Sequence, residues 1–531
     1  MPTRSFDKLS IQKKIAKNAI YNFLVKAISL AFAFVASVVV ARFLGPDKYG
    51  LYSFVLWFLS MVGLLVNLGI PTTITKYISE YWGRKDFSAI GTILHRLLRV
   101  ELVAGVVVSL FLFFLAPFIA RWYNNPDLSL YLKVASLVIL PLGLMWLYNG
   151  LFCGLQRYDL IAKINLVVSP VTLIIILLVL YFGGKIEWLV GVSVMTNILL
   201  VACYLYLKRT KFAFLQEGTS THDFGGPNLY PGNKLFKFSA SVFVVVVLDA
   251  IVWERFGIFF LSIFSTSTEI AFYNVAFILS SRTMILLPGA LTGILLPVMS
   301  EVYGGGNKEE LARVHVNSTR YLAMLSFPLC LGGFAIARQL FPVLYGPSFQ
   351  PASFIFAILL LGGTVGSVST SSTALLYGAE LQRIVVRVGI FSALVTLLAS
   401  WLLVPILGAK GAAFGNALAQ ITGGVVMITY AYKNYMKQKF PVLSIMRILF
   451  ASALMGSVAF LLAESIKGPV GLAFALILSF PLYILGLLFT RSLTSEDIKL
   501  VEAVIGRMPD SWGRVIQPIF RWLIKFFYPS P

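Results

Sequence analysis

Charged residues are scarce in this sequence. They make up 12% of the chain, whereas soluble proteins contain about 25%. With so few charged side chains, 531 residues could not cover the water-facing surfaces of several soluble domains. This composition excludes an ordinary soluble protein.

The residues that usually carry catalysis and metal binding are also few. The chain has three cysteines and three histidines, and their positions match neither a disulfide framework nor a set of metal ligands. No Gly-rich loop ends in Lys-Ser or Lys-Thr, so the sequence lacks a P-loop for ATP hydrolysis. We therefore expect no catalytic residues, no metal and no cofactor, and we expect a transporter rather than an enzyme.

Apolar residues dominate what is present. They reach 58% of the chain, and the mean hydropathy is +0.87. The net charge is +21, and most Lys and Arg lie in short loops between apolar runs, where they orient a protein in a bilayer. The expected partners therefore include membrane lipids and exclude nucleic acid.

The apolar runs predict an all-α membrane protein with about fourteen transmembrane helices, since about 20 apolar residues cross a bilayer core. The predicted spans are 19–41, 49–71, 97–119, 131–152, 164–183, 187–207, 238–264, 268–298, 316–340, 353–377, 385–407, 412–432, 443–464 and 470–490.

The longest internal break, 208–237, divides these spans. It is rich in Gly, Pro and Asn, as expected of a cytoplasmic linker. It separates an N-terminal lobe at 19–207, with six helices, from a C-terminal lobe at 238–432, with six more. Two further helices follow at 443–490.

Both ends of the chain are basic and amphipathic. The segments 1–18 and 491–531 predict elements that lie on the membrane surface, although 491–531 could also dock a partner. Lys and Arg are concentrated in alternate loops that include both ends, so both termini are expected in the cytoplasm and the chain in the cytoplasmic (inner) membrane.

Five ionisable residues within the spans are candidates for function. A charge costs about 2.5–3.5 kcal/mol at the centre of a membrane helix, so each should face the protein interior or a wet cavity. Lys26, Arg255 and Arg282 are cations that suit a pyrophosphate group, which Arg binds bidentately. Asp249 and Glu254 are candidates for coupling to an ion gradient. Asp249 could equally be a hydrogen-bonded structural group, and Glu254 could form a static ion pair with a nearby cation.

Three stretches resemble a known family. Residues 41–53 read Ala-Arg-Phe-Leu-Gly-Pro-Asp-Lys-Tyr-Gly-Leu-Tyr-Ser, and Asn67-Leu-Gly-Ile and Ile78-Ser-Glu-Tyr-Trp-Gly-Arg-Lys-Asp follow. Lys237-Phe238-Ser239 and Glu254-Arg255 are also similar to this family. The family is that of the polysaccharide-biosynthesis flippases, within the multidrug/oligosaccharidyl-lipid/polysaccharide exporter superfamily.

The resemblance implies two six-helix lobes in a V around a central cavity, as in the multidrug exporters of the superfamily, working by alternating access. Its members move polyprenyl-pyrophosphate-linked oligosaccharides to the outer leaflet, powered by ion gradients. By position, Lys26, Arg255 and Arg282 would hold the pyrophosphate, and Asp249 and Glu254 would couple the ion. Glu254 departs from the Asp-Arg pair usual in the family.

Three other functions remain open. A lipid II flippase would differ only in cargo, and a cation-coupled multidrug exporter would share the fold. A membrane glycan polymerase or ligase is an enzyme and usually needs a large outer loop, which this sequence lacks. Glycan-assembly enzymes are possible partners of the flippase.

Overall fold

The computed structural model describes residues 8–212 and 232–494, apart from Glu254, Leu287 and Gln438, and a few positions beyond 494. Side chains are described from residue 28 onward, apart from some positions between 232 and 293. The described part is helical throughout and contains no strand. The predicted amphipathic terminal segments 1–18 and 491–531 lie largely outside the described residues.

The first helices match the predicted spans in part. They are α1 (Lys8–Asn67), α2 (Ile70–Arg84), α3 (Phe87–Trp122), α4 (Asp127–Gly154), α5 (Tyr158–Tyr181), α6 (Ile186–Lys211), α7 (Gly232–Trp253), α8 (Gly257–Phe264) and α9 (Ser267–Leu286). Helix α1 includes most of the first two spans, α2 was not predicted, and the span 238–264 is divided between α7 and α8.

The remaining helices complete the second half of the chain. They are α10 (Pro288–Gly304), α11 (Lys308–Tyr345), α12 (Ala352–Gly378), α13 (Gln382–Leu407), α14 (Ala409–Thr429), α15 (Val442–Ser465) and α16 (Pro469–Phe489). A short 3₁₀ turn lies at Pro347–Phe349, and a π-helical turn at Tyr430–Tyr435.

The first helix contains a sharp kink. Gly45 has φ 71° inside α1, and Pro46 follows it. A left-handed φ is readily adopted by glycine, and proline removes a backbone donor, so the pair breaks the helix where the sequence predicts the loop between its first two spans.

The chain forms two compact units, Met1–Asn274 and Val275–Pro531. In the first unit, α4 packs against α2, α3 and α6. Ile74 and Ile78 of α2 and Phe152 of α4 are fully buried in its core. Two side chains of α2 also donate to backbone carbonyls of α4, Thr75 to Gly150 (3.0 Å) and Ser79 to Gly154 (2.8 Å).

The second unit is built around α12, which packs against α10, α11 and α14. Its centre is polar in one place. The Thr319 hydroxyl lies 2.7 Å from the Ser371 hydroxyl and accepts a hydrogen bond from Tyr432 (2.9 Å). His315 stacks on Tyr432 with ring centroids 4.4 Å apart and contacts Ser372. Buried polar groups without water need such mutual bonds, so this cluster fixes α11 against α12.

Large apolar side chains cover the outer faces of the long helices. Phe114 of α3, Leu398 and Ile406 of α13, and Ile477 and Phe480 of α16 are all exposed. In water such a surface would aggregate. Within the described residues, eleven helices are long and apolar enough to cross a membrane. The protein is therefore a multi-pass membrane protein.

Candidate functional site

A break between two helices positions Arg255. Helix α7 ends at Trp253 and α8 begins at Gly257. The Arg255 carbonyl accepts a hydrogen bond from the Ile258 N–H (3.0 Å), which starts α8. The Arg255 side chain is half-buried, so its charge lies within the membrane-spanning part without full contact with solvent.

Arg255 is the first member of a chain of hydrogen bonds. Its Nη1 donates to Oδ1 of Asn274 at 2.6 Å. Asn274 is 3% exposed, and its Nδ2 donates to Oγ of Ser53 (2.9 Å) and to the Tyr49 hydroxyl (3.3 Å). The Tyr49 hydroxyl lies 3.0 Å from Oγ of Ser37. The Asn274 amide uses both its acceptor and its donors, so its orientation is set by this network.

The partners of Arg255 are uncharged. Among the residues that the structure describes, Arg255 forms no salt bridge. The guanidinium of Arg255 has five N–H donors, and Asn274 accepts from only one of them. A neutral amide does not balance the positive charge of the guanidinium. The site can therefore bind an anionic group, and phosphate oxygens match the guanidinium geometry.

A cluster of aromatic rings includes Phe256, the residue that follows Arg255. Phe256 follows Arg255 in the chain, and its ring centroid lies 6.3 Å from that of Trp57 and 5.5 Å from that of Phe259. Phe54 lies 6.1 Å from Trp57. These rings form an apolar cluster within the first unit.

The motif stretch Lys237-Phe238-Ser239 contacts the motif stretch that begins at Asn67. The Ser239 hydroxyl of α7 donates to the Leu68 carbonyl at 2.6 Å. Gly69 has φ 71° and packs against the Ser239 backbone, where a Cβ atom would clash. Nζ of Lys76 lies 3.9 Å from the centroid of the Phe238 ring. The stretches beginning at residues 67 and 237, both similar to the flippase family, therefore contact each other.

The structure describes three of the five predicted site residues only in part or not at all. Lys26 lies in α1 and Asp249 in α7, but their side chains are outside the described part, as is the whole of Glu254. Arg255 lies in the first unit, and Arg282 is half-buried on α9 in the second. The assignment of all five to substrate and ion therefore stays a prediction.

The sequence does not single out the partners of Arg255. Tyr49 and Ser53 belong to the motif at 41–53, so their position in a family motif was an available signal. Asn274 is an isolated amide in the predicted span 268–298, which indicates a buried polar contact but not its partner. Among the described residues, no group of three His, Cys, Asp or Glu could hold a metal ion.

The comparisons with known proteins agree with the motifs. The family model described as "Polysaccharide biosynthesis protein" matches residues 39–354, more than half of the chain. The lipid II flippase MurJ of Bacillus subtilis strain 168 is 23% identical over 433 residues, which cover 74% of this chain and 78% of MurJ.

Two solved structures share the fold. A structure of the lipid II flippase MurJ, in an inward closed conformation, has a TM-score of 0.71 and covers 90% of this chain and 99% of its own at 12% identity. An inward-facing multidrug resistance MATE family transporter of the MOP superfamily has a TM-score of 0.64 and covers 77% of this chain and 94% of its own at 13% identity. The resemblance expected from the motifs is confirmed: the chain belongs to the polysaccharide biosynthesis protein family and has the helical fold of this exporter superfamily.

Proposed function

We propose that this protein is a flippase that moves polyprenyl-pyrophosphate-linked oligosaccharide from the cytoplasmic to the outer leaflet. It works by alternating access and is driven by an ion gradient. The glycan crosses in a wet cavity while the polyprenyl tail stays in lipid. Family membership and the flippase relative support this function, which is transport rather than catalysis.

One observation carries the proposal. Arg255 is half-buried, and its only hydrogen-bond partner among the described residues is the neutral Asn274. A half-buried cation that has no carboxylate partner among the described residues is costly unless a ligand compensates it. The pyrophosphate of a lipid carrier supplies two phosphate groups for that purpose. Lys26 and Arg282 are proposed as further pyrophosphate contacts, and Asp249 and Glu254 as ion-coupling residues.

The same proposal includes the architecture. The eleven membrane-length helices become fourteen spans when α1 is divided at its kink, α7 is joined with α8, and α9 with α10. The lobes are then 19–207 and 238–432, arranged in a V, with the linker 208–237 between them and two further helices at 443–490.

The orientation follows from the charges. Lys and Arg in alternate loops place both termini in the cytoplasm and the protein in the inner membrane. Glycan-assembly enzymes are proposed partners at the cytoplasmic face.

Two alternatives are distinguished by cargo. A lipid II flippase is favoured by the MurJ relative and would also bind a pyrophosphate. A cation-coupled multidrug exporter is favoured by the fold of the MATE transporter, but a cationic site such as Arg255 repels cationic drugs.

The test is transfer in liposomes. The protein is reconstituted with a fluorescent polyprenyl-pyrophosphate oligosaccharide, and the fraction accessible from the far leaflet is measured. Arg255→Ala should slow transfer at least tenfold, because a hydrogen bond to a charged group contributes about 1.5–3 kcal/mol. Asn274→Asp should also slow transfer, because it places a carboxylate against the guanidinium. Arg282→Ala tests the second cation.

Arg84→Ala is the matched control, since Arg84 is exposed and paired with Glu80. Transfer that is lost in folded Arg255 and Asn274 variants and kept in the control supports the proposal. Failure of wild type to move several glycans, with extrusion of a cationic dye under an ion gradient, would establish the drug exporter instead. Selective movement of lipid II would identify the other flippase.

A further inference from the structure

Glu101 is a buried carboxyl that none of the preceding functions uses. It lies in α3, two residues after Arg99, and is 1% exposed. Arg96 and Arg99 on the same helix are exposed, so the carboxyl side chain turns into the protein while its basic neighbours turn outward. Glu101 lies within the predicted span 97–119, although it is not among the five candidates drawn from the sequence.

The Glu101 carboxyl packs against a glycine of the neighbouring helix. Gly143 of α4 lies directly against its carboxyl, where a Cβ atom would clash with Oε1, and a Cβ there would also lie 2.8 Å from Cγ1 of Val66 of α1. The absence of a side chain at Gly143 therefore provides the space that the carboxyl occupies.

The carboxyl also lacks a polar partner. Oε1 is buried and has no hydrogen bond to any residue that the structure describes. Helices α1, α2 and α4 pack against α3, and none of the residues that the structure describes forms an ion pair with Glu101. No described cation is placed to balance an anion there.

An unpaired carboxylate in such surroundings is strongly disfavoured, whereas the neutral acid is tolerated. The group therefore binds a proton while it is enclosed between α3 and α4. It can release that proton only if the contact between α3 and α4 opens during the transport cycle. A carboxyl group that is buried at only one stage of the transport cycle is protonated at that stage, and this links its protonation to the cycle.

We propose that Glu101 is a proton-binding site that couples the transport cycle to a proton gradient. This rests on the proposed function for the cargo but names the ion, which that function leaves open. It adds a coupling residue in the first unit, on α3, to the candidates Asp249 and Glu254.

The first experiment measures transport. Flipping by the reconstituted protein is compared with and without an imposed pH gradient for wild type, Glu101→Gln and Glu80→Gln. Wild type and the exposed-carboxyl control Glu80→Gln should be accelerated by the gradient. In Glu101→Gln the ratio of the two rates should fall to unity, because the amide cannot exchange a proton.

The second experiment does not depend on transport. Infrared difference spectra of the purified full-length protein, wild type minus Glu101→Gln, should show the C=O stretch of a protonated carboxyl at neutral pH. The difference between wild type and Glu80→Gln should lack this band. If the Gln variant does not fold, Glu101→Met replaces it in both experiments, since an apolar side chain of the same length needs no hydrogen bond there.

Full gradient dependence in a folded Glu101 variant, or absence of the carboxyl band, overturns the proposal while the flippase function stands. Failure of wild type to flip any glycan refutes the proposed function, and the infrared band then decides separately whether Glu101 holds a proton.

Discussion

Removing the negative charge of Asp497 should detach the start of the C-terminal tail from α11. Asp497 Oδ2 accepts from Nη2 of Arg320 at 2.9 Å, and both side chains are 6% exposed. The Tyr321 hydroxyl donates to Oδ1 (2.8 Å), and the Arg320 guanidinium also donates to the Ser492 carbonyl (3.2 Å). The tail is therefore held to the second unit by a buried ion pair with several supporting bonds.

A capping box adds to this anchor. The Thr494 N–H donates to Oδ2 of Asp497 (2.7 Å), and the Asp497 N–H donates to the Thr494 hydroxyl (3.3 Å). This reciprocal pair satisfies donors at the start of a helical turn. Asp497 consequently serves both the ion pair and the cap.

The magnitude follows from the burial of Arg320. Removing one partner of a buried ion pair costs about 3–5 kcal/mol, because the other charge is left uncompensated. Asn keeps part of the cap, so Asp497→Asn should cost about 3 kcal/mol, which raises the open population of the tail about 100-fold. Nε of Arg320 already has no partner among the described residues, so the guanidinium has little further compensation nearby.

The assay is limited trypsin digestion of the intact protein in detergent, followed by mass spectrometry of the tail. Lys499 and Arg507 provide cleavage sites beyond Asp497, and cleavage of a transiently opened segment reports its population when opening is fast. The control is Glu464→Gln, because Glu464 and Arg338 form an exposed pair, 38% and 72% accessible at 3.5 Å. Such pairs contribute about 0–1 kcal/mol, so this variant should be cleaved like wild type.

The pH dependence has a definite sign. Burial raises the pKa of Asp497, but hydrogen bonds from Thr494, Tyr321 and Arg320 outweigh it, and the net pKa is lowered. A lowered pKa stabilises the anchor above the unfolded value, about 3.9, and this stabilisation is lost as the pH falls through the folded value. Tail cleavage should therefore be unchanged from neutral pH down to about pH 5. Equal cleavage of Asp497→Asn and wild type at neutral pH would refute the reasoning.

Two glycines give further predictions, both measured by thermal unfolding in detergent. Gly143→Ala should destabilise the protein by about 1–3 kcal/mol because the new methyl group clashes with the Glu101 carboxyl. The control is Gly191→Ala, which has open space around it and should be neutral or stabilising. Equal effects of the two substitutions would contradict the packing of α3 on α4. Gly45→Ala should lower the free energy of unfolding by about 1–2 kcal/mol because residue 45 has a φ of 71°. The control is Gly83→Ala, which lies in open space without a positive φ and should leave stability unchanged. A neutral Gly45→Ala would argue against the kink.

The apolar runs predicted several helices of this protein closely. The predicted spans 353–377, 443–464 and 470–490 correspond to Ala352–Gly378, Val442–Ser465 and Pro469–Phe489. The prediction succeeded because the thickness of the hydrocarbon core fixes the length of a span. The hydrocarbon also offers no hydrogen bonds to the backbone, so apolar runs that cross it must be helical. The predicted span 268–298 is instead divided between α9 and α10, where Pro288 starts a new helix.

The sequence by itself also determined the membrane class and the family motifs, since both depend on local composition. It also indicated Arg255 as a residue of interest, since a charge within a membrane-spanning helix is costly. Tertiary structure decided which side chains meet. Arg255 is bonded to Asn274, which in turn reaches Tyr49 and Ser53 on a distant part of the chain, and Glu101 is buried because α4 presents Gly143 to it. Hydropathy records how apolar a segment is but not which face of a helix packs against which neighbour, and that packing decides whether a charge is paired, exposed or left to bind a ligand.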